Sequence, residues 1–306
     1  MSRSVKAHIL LIAVTVVWGT TFVLIKDALT HISPLLFNAV RMTLAALTLL
    51  LIFRRDMARL TRESARAGVL VGIFLWLGYE FQTTGLKLTT PSKSAFLTGV
   101  SVVLVPVFLA IGWRRMVNRW TATGVAVAFL GLYLLTVPAV DGGGLNLASI
   151  NRGDLLTLGC AVGFAFQIIT MGRATARFPF QQIATVEAMV SAGLMFITVP
   201  VLEQSYVTWT PTVIWAILIT GLLGTAVAFT VQAWAQQFTP PTHTALIFSL
   251  EPVFAWMTSY VVLGERLGFR ATVGAVMILS GVLLSELKGS VAPPAGAEAE
   301  AAEMAD

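Results

Sequence analysis

Charge is what this sequence has least of. Lys, Arg, Asp and Glu make up 11% of its 306 residues, against 57% hydrophobic residues and a mean hydropathy of +0.83. A water-soluble globule needs more polar surface than that, so a soluble fold is excluded and lipid must act as the solvent. Cysteine is nearly absent: Cys160 alone, in the middle of an apolar run, excludes an intrachain disulfide. Histidine is scarce too, at His8, His31 and His243, and no group of His, Cys, Asp and Glu has metal-ligand spacing. The glycine run that follows Asp141, Gly142 to Gly144, lacks the Lys-Ser/Thr of a phosphate loop and a preceding strand. An ATP-driven pump therefore has no nucleotide site, and no cofactor or metal is expected.

What is abundant is apolar sequence in long runs. Ten of them, near 7–25, 34–53, 68–86, 91–111, 121–138, 154–172, 182–202, 212–235, 242–262 and 270–287, approach the roughly 20 residues needed to cross a bilayer as helix. The first run follows Arg3 and Lys6 as a signal peptide would. No small-residue cleavage site follows, however, and Trp18 interrupts the run, so it is read as a retained helix. The segment 289–306, rich in Ala, Pro and Glu, has no apolar period and is expected to be a disordered cytoplasmic tail.

The breaks between runs alternate in charge. One side collects Arg3, Lys6, Arg54, Arg55, Arg59, Arg62, Arg66, Arg114, Arg115, Arg119, Arg173, Arg177 and Lys288; the other has Lys26, Lys87, Lys93, Arg152, Arg266 and Arg270. Positive charge is retained in the cytoplasm during insertion, which predicts both termini inside and a multi-pass protein of a bacterial inner membrane. The same bias explains the net charge of +5 without nucleic acid as a partner.

The chain also contains itself twice. At an offset of 150, Gln82 meets Gln232, Thr89 meets Thr239, Pro91 meets Pro241, Ala95 meets Ala245, Gly124 meets Gly274, and Gly131 meets Gly281. Each half holds five runs, an odd number, so the second enters the membrane from the opposite side. The predicted fold is an all-α integral membrane protein of ten transmembrane helices in two inverted five-helix repeats. The first repeat covers 1–138 and the second 154–288, with a periplasmic linker at 139–153. Inverted repeats are typical of secondary transporters, where two similar halves open a central site alternately to each side.

Several motifs carry a family resemblance. Trp18-Gly19-Thr20-Thr21-Phe22, Arg41, Gly85-Leu86-Lys87, Ser94-Ala95-Phe96-Leu97-Thr98 and Val105-Pro106 in the first half are matched in the second. There the chain reads Ser249-Leu250-Glu251-Pro252-Val253-Phe254 and Leu263-Gly264-Glu265-Arg266-Leu267. The sequence resembles the drug/metabolite transporter superfamily, EamA type, across nearly its whole length, and its branch of amino-acid exporters in particular. The resemblance implies ten helices in two inverted repeats and export of small metabolites.

Polar and aromatic residues inside spans point at a site, because lipid does not tolerate them. Ser94, Thr98 and Ser101 form a stripe on the fourth span, and Thr244, Phe248 and Glu251 form its counterpart on the ninth. The third span offers Gly78, Tyr79 and Gln82 on one face, and the eighth mirrors it with Thr225, Phe229 and Gln232. Trp18 and Thr21 correspond, at an offset of 146, to Phe164 and Gln167. These twelve are the candidate substrate-binding residues: Trp18, Thr21, Tyr79, Gln82, Ser94, Thr98, Ser101, Phe164, Gln167, Gln232, Thr244 and Phe248. A ring beside an amide suits a zwitterion with an apolar side chain. Packing of rings and small hydroxyl residues between helices is the plainer alternative.

Gating or coupling falls to residues where charge or backbone is unusual. Glu80, on a face about 100° from Tyr79, and Glu251 are the acids best placed to bind a proton or an ammonium group. Lys93 and His243 stand at one repeat position near helix starts, after Thr89 or Thr90 and Thr239 as N-caps, and are expected to flank the two mouths. Pro252 predicts a kink on the ninth span, and Pro106 one about a turn out of register on the fourth, so the hinges differ. Arg41 and Glu187 occupy near-equivalent places with opposite sign and are read as anchors or as a pair. The paired glycines of the fifth and tenth spans let helices approach, within a monomer or at a homodimer contact.

The leading function is secondary or facilitated export of amino acids, aromatic and apolar ones included, or of related metabolites, by alternating access. The partners are a small-molecule substrate and the lipid bilayer, with proton coupling left open. A multidrug exporter is the alternative within transport. An intramembrane enzyme or lipid-handling protein would need a nucleophile, a metal or paired acids in one leaflet, and no such set is visible.

Overall fold

The structure is a computed structural model that describes residues 2–89, 91–114, 117–136, 151–263 and 268–288. The expected linker, the tail from 289, Thr90 and Glu265 lie largely or wholly outside them. The described residues are almost wholly helical. They comprise α1 (Arg3–Ala28), α2 (Pro34–Ile52), the short α3 (Arg54–Met57), α4 (Arg62–Leu88), α5 (Pro91–Gly99), α6 (Ser101–Trp113) and α7 (Arg119–Thr136). The second half runs α8 (Arg152–Thr175), α9 (Phe180–Leu202), α10 (Pro211–Leu218), α11 (Ala228–Ala235), α12 (Pro241–Phe248), α13 (Glu251–Leu263) and α14 (Phe269–Lys288). A π-helical stretch, Ile219–Val227, joins α10 to α11 into one span. Each of the ten apolar runs is thus one helix or one interrupted helix. Seven of them are long and apolar enough by themselves to cross a membrane, and α7 and α14 are shorter apolar helices.

Local chemistry sets the helix starts. Thr61 caps α4 by accepting from the Ser64 amide, Thr210 caps α10 through Val213, and Asn151 and Asp154 form a reciprocal capping box on α8. Two expected caps act otherwise. Thr89 ends α4, and its hydroxyl donates to Asp154 Oδ1 at 2.6 Å, tying that end to the start of α8. Helix α12 starts at Pro241 after Pro240, with no side-chain cap, while the hydroxyl of Thr239 is buried without a partner.

The fourth and ninth spans break at the same repeat position. Helix α5 gives way to α6 at Val100, and α12 to α13 between Ser249 and Leu250; residues 99–101 and 249–251 are related by the offset of 150. This corrects the expectation of unlike hinges. Pro252 sits in the first turn of α13, where its missing N–H costs nothing, and Pro106 lies inside α6, beyond the break.

Glycines bring spans together. Between α7 and α14 a methyl on Gly124 would lie 2.6 Å from the Gly281 carbonyl oxygen, and one on Gly131 2.6 Å from that of Gly274. All four are consumed within one chain, at a contact too close for any side chain. At the N-terminal face an apolar core including Leu11, Val14, Val102, Val105, Leu246 and Leu250 fills the space between spans. Toward the opposite face the clusters are smaller, one of Ala28, Leu29, Ile32, Phe37, Val213, Ala216 and Ile217 and another of Phe22, Leu86 and Ala95.

Candidate functional site

Where the core thins, the two repeats line a cavity of about 70 Å³. Its wall is assembled from both halves. Helix α1 brings Trp18, Thr21, Phe22 and Ile25; α2 brings Arg41; α4 brings Tyr79, Gln82, Thr83 and Leu86; and the fourth span brings Ala95, Thr98, Gly99 and Ser101. The second repeat adds Phe164, Gln167 and Ile168 from α8, Phe229 and Gln232 from α11, and Phe248, Glu251 and Pro252 from the ninth span.

Aromatic rings form a connected wall. Trp18 lies 5.5 Å from Phe229 and 4.9 Å, edge-on, from Phe248, and Tyr79 meets Phe164 at 5.4 Å and Phe229 at 6.0 Å. Edge-to-face pairs at these spacings each add about 1 kcal/mol beyond area burial, so the wall is stiff. Glycine makes its geometry possible: a methyl on Gly78 would meet the Phe164 ring at 2.6 Å, and one on Gly19 the α13 backbone at Ala255 N at 2.7 Å. The indole N–H of Trp18 donates to the Gly224 carbonyl at 2.7 Å, inside the π-helical stretch. Trp18 is therefore both wall and brace.

Polar groups enter by two chains. Gln82 donates to Thr98 at 3.3 Å, and the Thr98 hydroxyl lies 3.3 Å from Cys160, which is buried and free. On the other wall the Gln167 amide donates to Glu187 Oε1 at 2.7 Å and accepts from Gln232 at 3.0 Å. Gln232 also donates to Gln236 at 3.0 Å. This series leads from the cavity wall into the packed interior, with Glu187 fully buried at its end.

Ten of the twelve candidate substrate-binding residues line the cavity, as do Glu251 and Pro252. Ser94 and Thr244, equivalent in the two repeats, do not. Both are fully buried, the Thr244 hydroxyl donating to the Pro240 carbonyl at 3.2 Å and the Ser94 hydroxyl having no partner. They begin the stripes, near the helix starts, while the cavity meets the stripes only toward the breaks. Glu80 faces away: its Oε2 accepts from Thr198 of α9 at 3.2 Å, as its angle from Tyr79 around α4 requires. His243 is buried within α12 and does not line the cavity; Pro106 does not either. Lys93 belongs to α5, but its side chain lies outside the described residues.

Arg41 is the principal residue that the reading above assigned elsewhere. It does not pair with Glu187, whose engaged oxygen is held by Gln167, and it lines the cavity. The signal was present in the sequence, since a cation placed within a span, away from both ends, marks function by its cost alone. Phe22 and Ile25 carried no such mark, because an apolar residue in a span costs nothing there.

Known proteins fit this architecture. The EamA-like transporter family model matches residues 5–137 and again 151–287, one match per repeat. An uncharacterized transporter of Archaeoglobus fulgidus is 32% identical over 94% of this chain and 87% of its own. A probable amino-acid metabolite efflux pump of Salmonella typhimurium is 24% identical over 93% of this chain and 95% of its own. An S-adenosylmethionine/S-adenosylhomocysteine transporter of Chlamydia muridarum is 31% identical over 43% of this chain and 42% of its own. A solved crystal structure, 16% identical, superposes with a TM-score of 0.75 over 93% of this chain and 98% of that one, which shows the fold. With five spans matched twice, a cavity between the halves and transporters as relatives, the chain belongs to the EamA-like transporter family and is a multi-pass membrane transporter of small molecules.

Proposed function

We propose that the protein exports amino acids, aromatic and apolar ones foremost, and related small metabolites across a bacterial inner membrane by alternating access, with both termini in the cytoplasm. The observation that carries this reading is the mixed wall of the cavity: six aromatic side chains, amides from both repeats, and the carboxyl of Glu251. Such a wall binds an apolar body and hydrogen-bonds a polar head, which is the makeup of an amino acid. The relative named as an amino-acid metabolite efflux pump has the same direction and substrate class. The excess of Lys and Arg on the N-terminal side supports the orientation, and the contrast between a packed N-terminal face and a cavity toward the other supports a cycle between two such states.

Counterflow in proteoliposomes with labelled amino acids, nucleosides and organic cations, with and without a pH gradient, tests the reading. Exchange of phenylalanine or leucine is expected. Exchange of organic cations with no amino-acid exchange would replace it by the multidrug alternative. Acceleration by a pH gradient that is lost in Glu251→Gln would add proton coupling.

A further inference from the structure

Arg41 is 3% exposed, and its Nε and Nη2 atoms are buried with no hydrogen-bond partner. Those two nitrogens bear the N–H groups of one edge of the guanidinium, the edge that receives a carboxylate side-on through two parallel hydrogen bonds. The guanidinium carbon lies over Tyr79, 4.0 Å from the ring centroid, and 5.6 Å from the centroid of Phe37. Its backbone is fixed as well. One turn earlier, Asn38 donates to the Tyr79 carbonyl at 3.0 Å and accepts from Thr83 at 3.0 Å, and the Arg41 carbonyl sits where a methyl on Gly221 would meet it at 3.0 Å. Two rings face the cation and the Tyr79 hydroxyl accepts a hydrogen bond from it, but neither residue supplies an acceptor to Nε or Nη2. A cation taken out of water without an anion costs several kcal/mol by order of magnitude, so an anionic partner has a large free energy to recover.

We propose that Arg41 is the anchor for a carboxylate on the transported molecule, so that the cavity selects carboxylate-bearing compounds with an apolar body and rejects amines that lack the carboxylate. The aromatic wall of Trp18, Phe164, Phe229 and Phe248 takes the body, and Glu251, on the same wall, takes an ammonium group where one is present. This rests on the reading of the cavity as the substrate site and narrows its chemistry.

The test is competition in the counterflow assay, with labelled L-phenylalanine against 3-phenylpropionate, which keeps the carboxylate, and phenethylamine, which keeps only the amine. In the wild type, phenylpropionate competes and phenethylamine does not. Arg41→Gln raises the half-saturating phenylalanine concentration about ten- to a hundredfold, the worth of a charge-assisted hydrogen-bond pair, and erases the preference for a carboxylate. Arg41→Lys, which keeps the charge but not the fork, falls between. The proposal is overturned if phenethylamine competes as well as phenylpropionate in the wild type, or if Arg41→Gln keeps the preference; a merely structural arginine would lower transport of all ligands alike. If Arg41→Gln fails to fold, the wild-type competition and Arg41→Lys decide. Exchange of other carboxylates but no amino acids, dependent on Arg41, would sink the amino-acid reading and leave this one standing. Exchange of simple amines alone would sink both.

Discussion

Lys26 on α1 and Gly172 on α8 occupy the same position in the two repeats, at the offset of 146 that relates Trp18 to Phe164. They make their spans meet in opposite ways. The Lys26 ammonium reaches across from α1 to donate to the carbonyls of Leu86, Lys87 and Thr89 at 2.7, 3.1 and 2.9 Å, so α1 stands a side chain's length from the end of α4. At Gly172 there is no side chain, and a methyl there would lie 3.0 Å from the Pro241 ring and 3.2 Å from the Gln236 amide nitrogen, so neighbouring side chains pack straight onto the α8 backbone. The half-helices beside them repeat the contrast. Helix α12 is buried at every residue from Thr242 to Phe248, whereas α5 lends Ala95, Thr98 and Gly99 to the cavity wall. Duplication of sequence has therefore not duplicated environment. The N-terminal face is sealed by apolar packing and the opposite face is spanned by a polar bridge, an asymmetry that a two-state carrier would exchange in its cycle.

The sharpest way to break this comparison uses the equivalent alanines 95 and 245. In a Cys160→Ala background, Ala95→Cys should react with a small water-soluble thiol reagent about a hundredfold faster than Ala245→Cys, because only the former lines the cavity and the latter requires local opening. Equal rates would erase the distinction between the faces. The next effect is on packing, at glycines where the symmetry does hold. Gly124→Ala and Gly274→Ala should each lower stability by about 2–3 kcal/mol and by similar amounts, measured as the shift of the unfolding transition in detergent. Gly193→Ala, with nothing within 4 Å, should be neutral to within about 0.5 kcal/mol.

Leu246→Ala should cost about 2 kcal/mol, and the equivalent Phe96→Ala less although the ring is larger, because Leu246 is fully enclosed while Phe96 is half-buried and lipid can refill its place. A smaller loss than at Leu246 is expected at the cap where Glu203 accepts from the amides of Leu35 and Leu36, at 3.1 and 3.0 Å. Glu203→Ala should cost about 1 kcal/mol and leave substrate preference unchanged, since it loosens only the tie between α2 and the end of α9.

The residues that were legible beforehand were legible for one reason. Trp18, Gln82, Gln167 and Gln232 carry polarity that hydrocarbon penalises, and each recurs in the other repeat as a ring, an amide or a hydroxyl, so the pattern points inward from sequence alone. Glu80 carried the same signal and faces Thr198, because one residue of sequence turns a helix by about 100° and only packing says which direction is the cavity. Arg41 was read as an anchor or as half of a pair, since opposite charges at equivalent positions invite that; in the structure it lines the cavity, and Glu187 hydrogen-bonds Gln167. The π-helical stretch had no sequence mark at all, and its Gly224 carbonyl is where Trp18 is anchored.

What the sequence determined by itself is the membrane class, ten spans, two inverted repeats and a shortlist of wall residues, because span length, charge bias and repeat offset are local or linear properties of the chain. What only the tertiary structure decided is which face is packed, that both broken spans break at one equivalent place, and that two nitrogens of the buried Arg41 guanidinium have no hydrogen-bond partner. These depend on which helices touch, and contacts between residues as distant as Lys26 and Leu86, or Gly172 and Pro241, are properties of the packed whole.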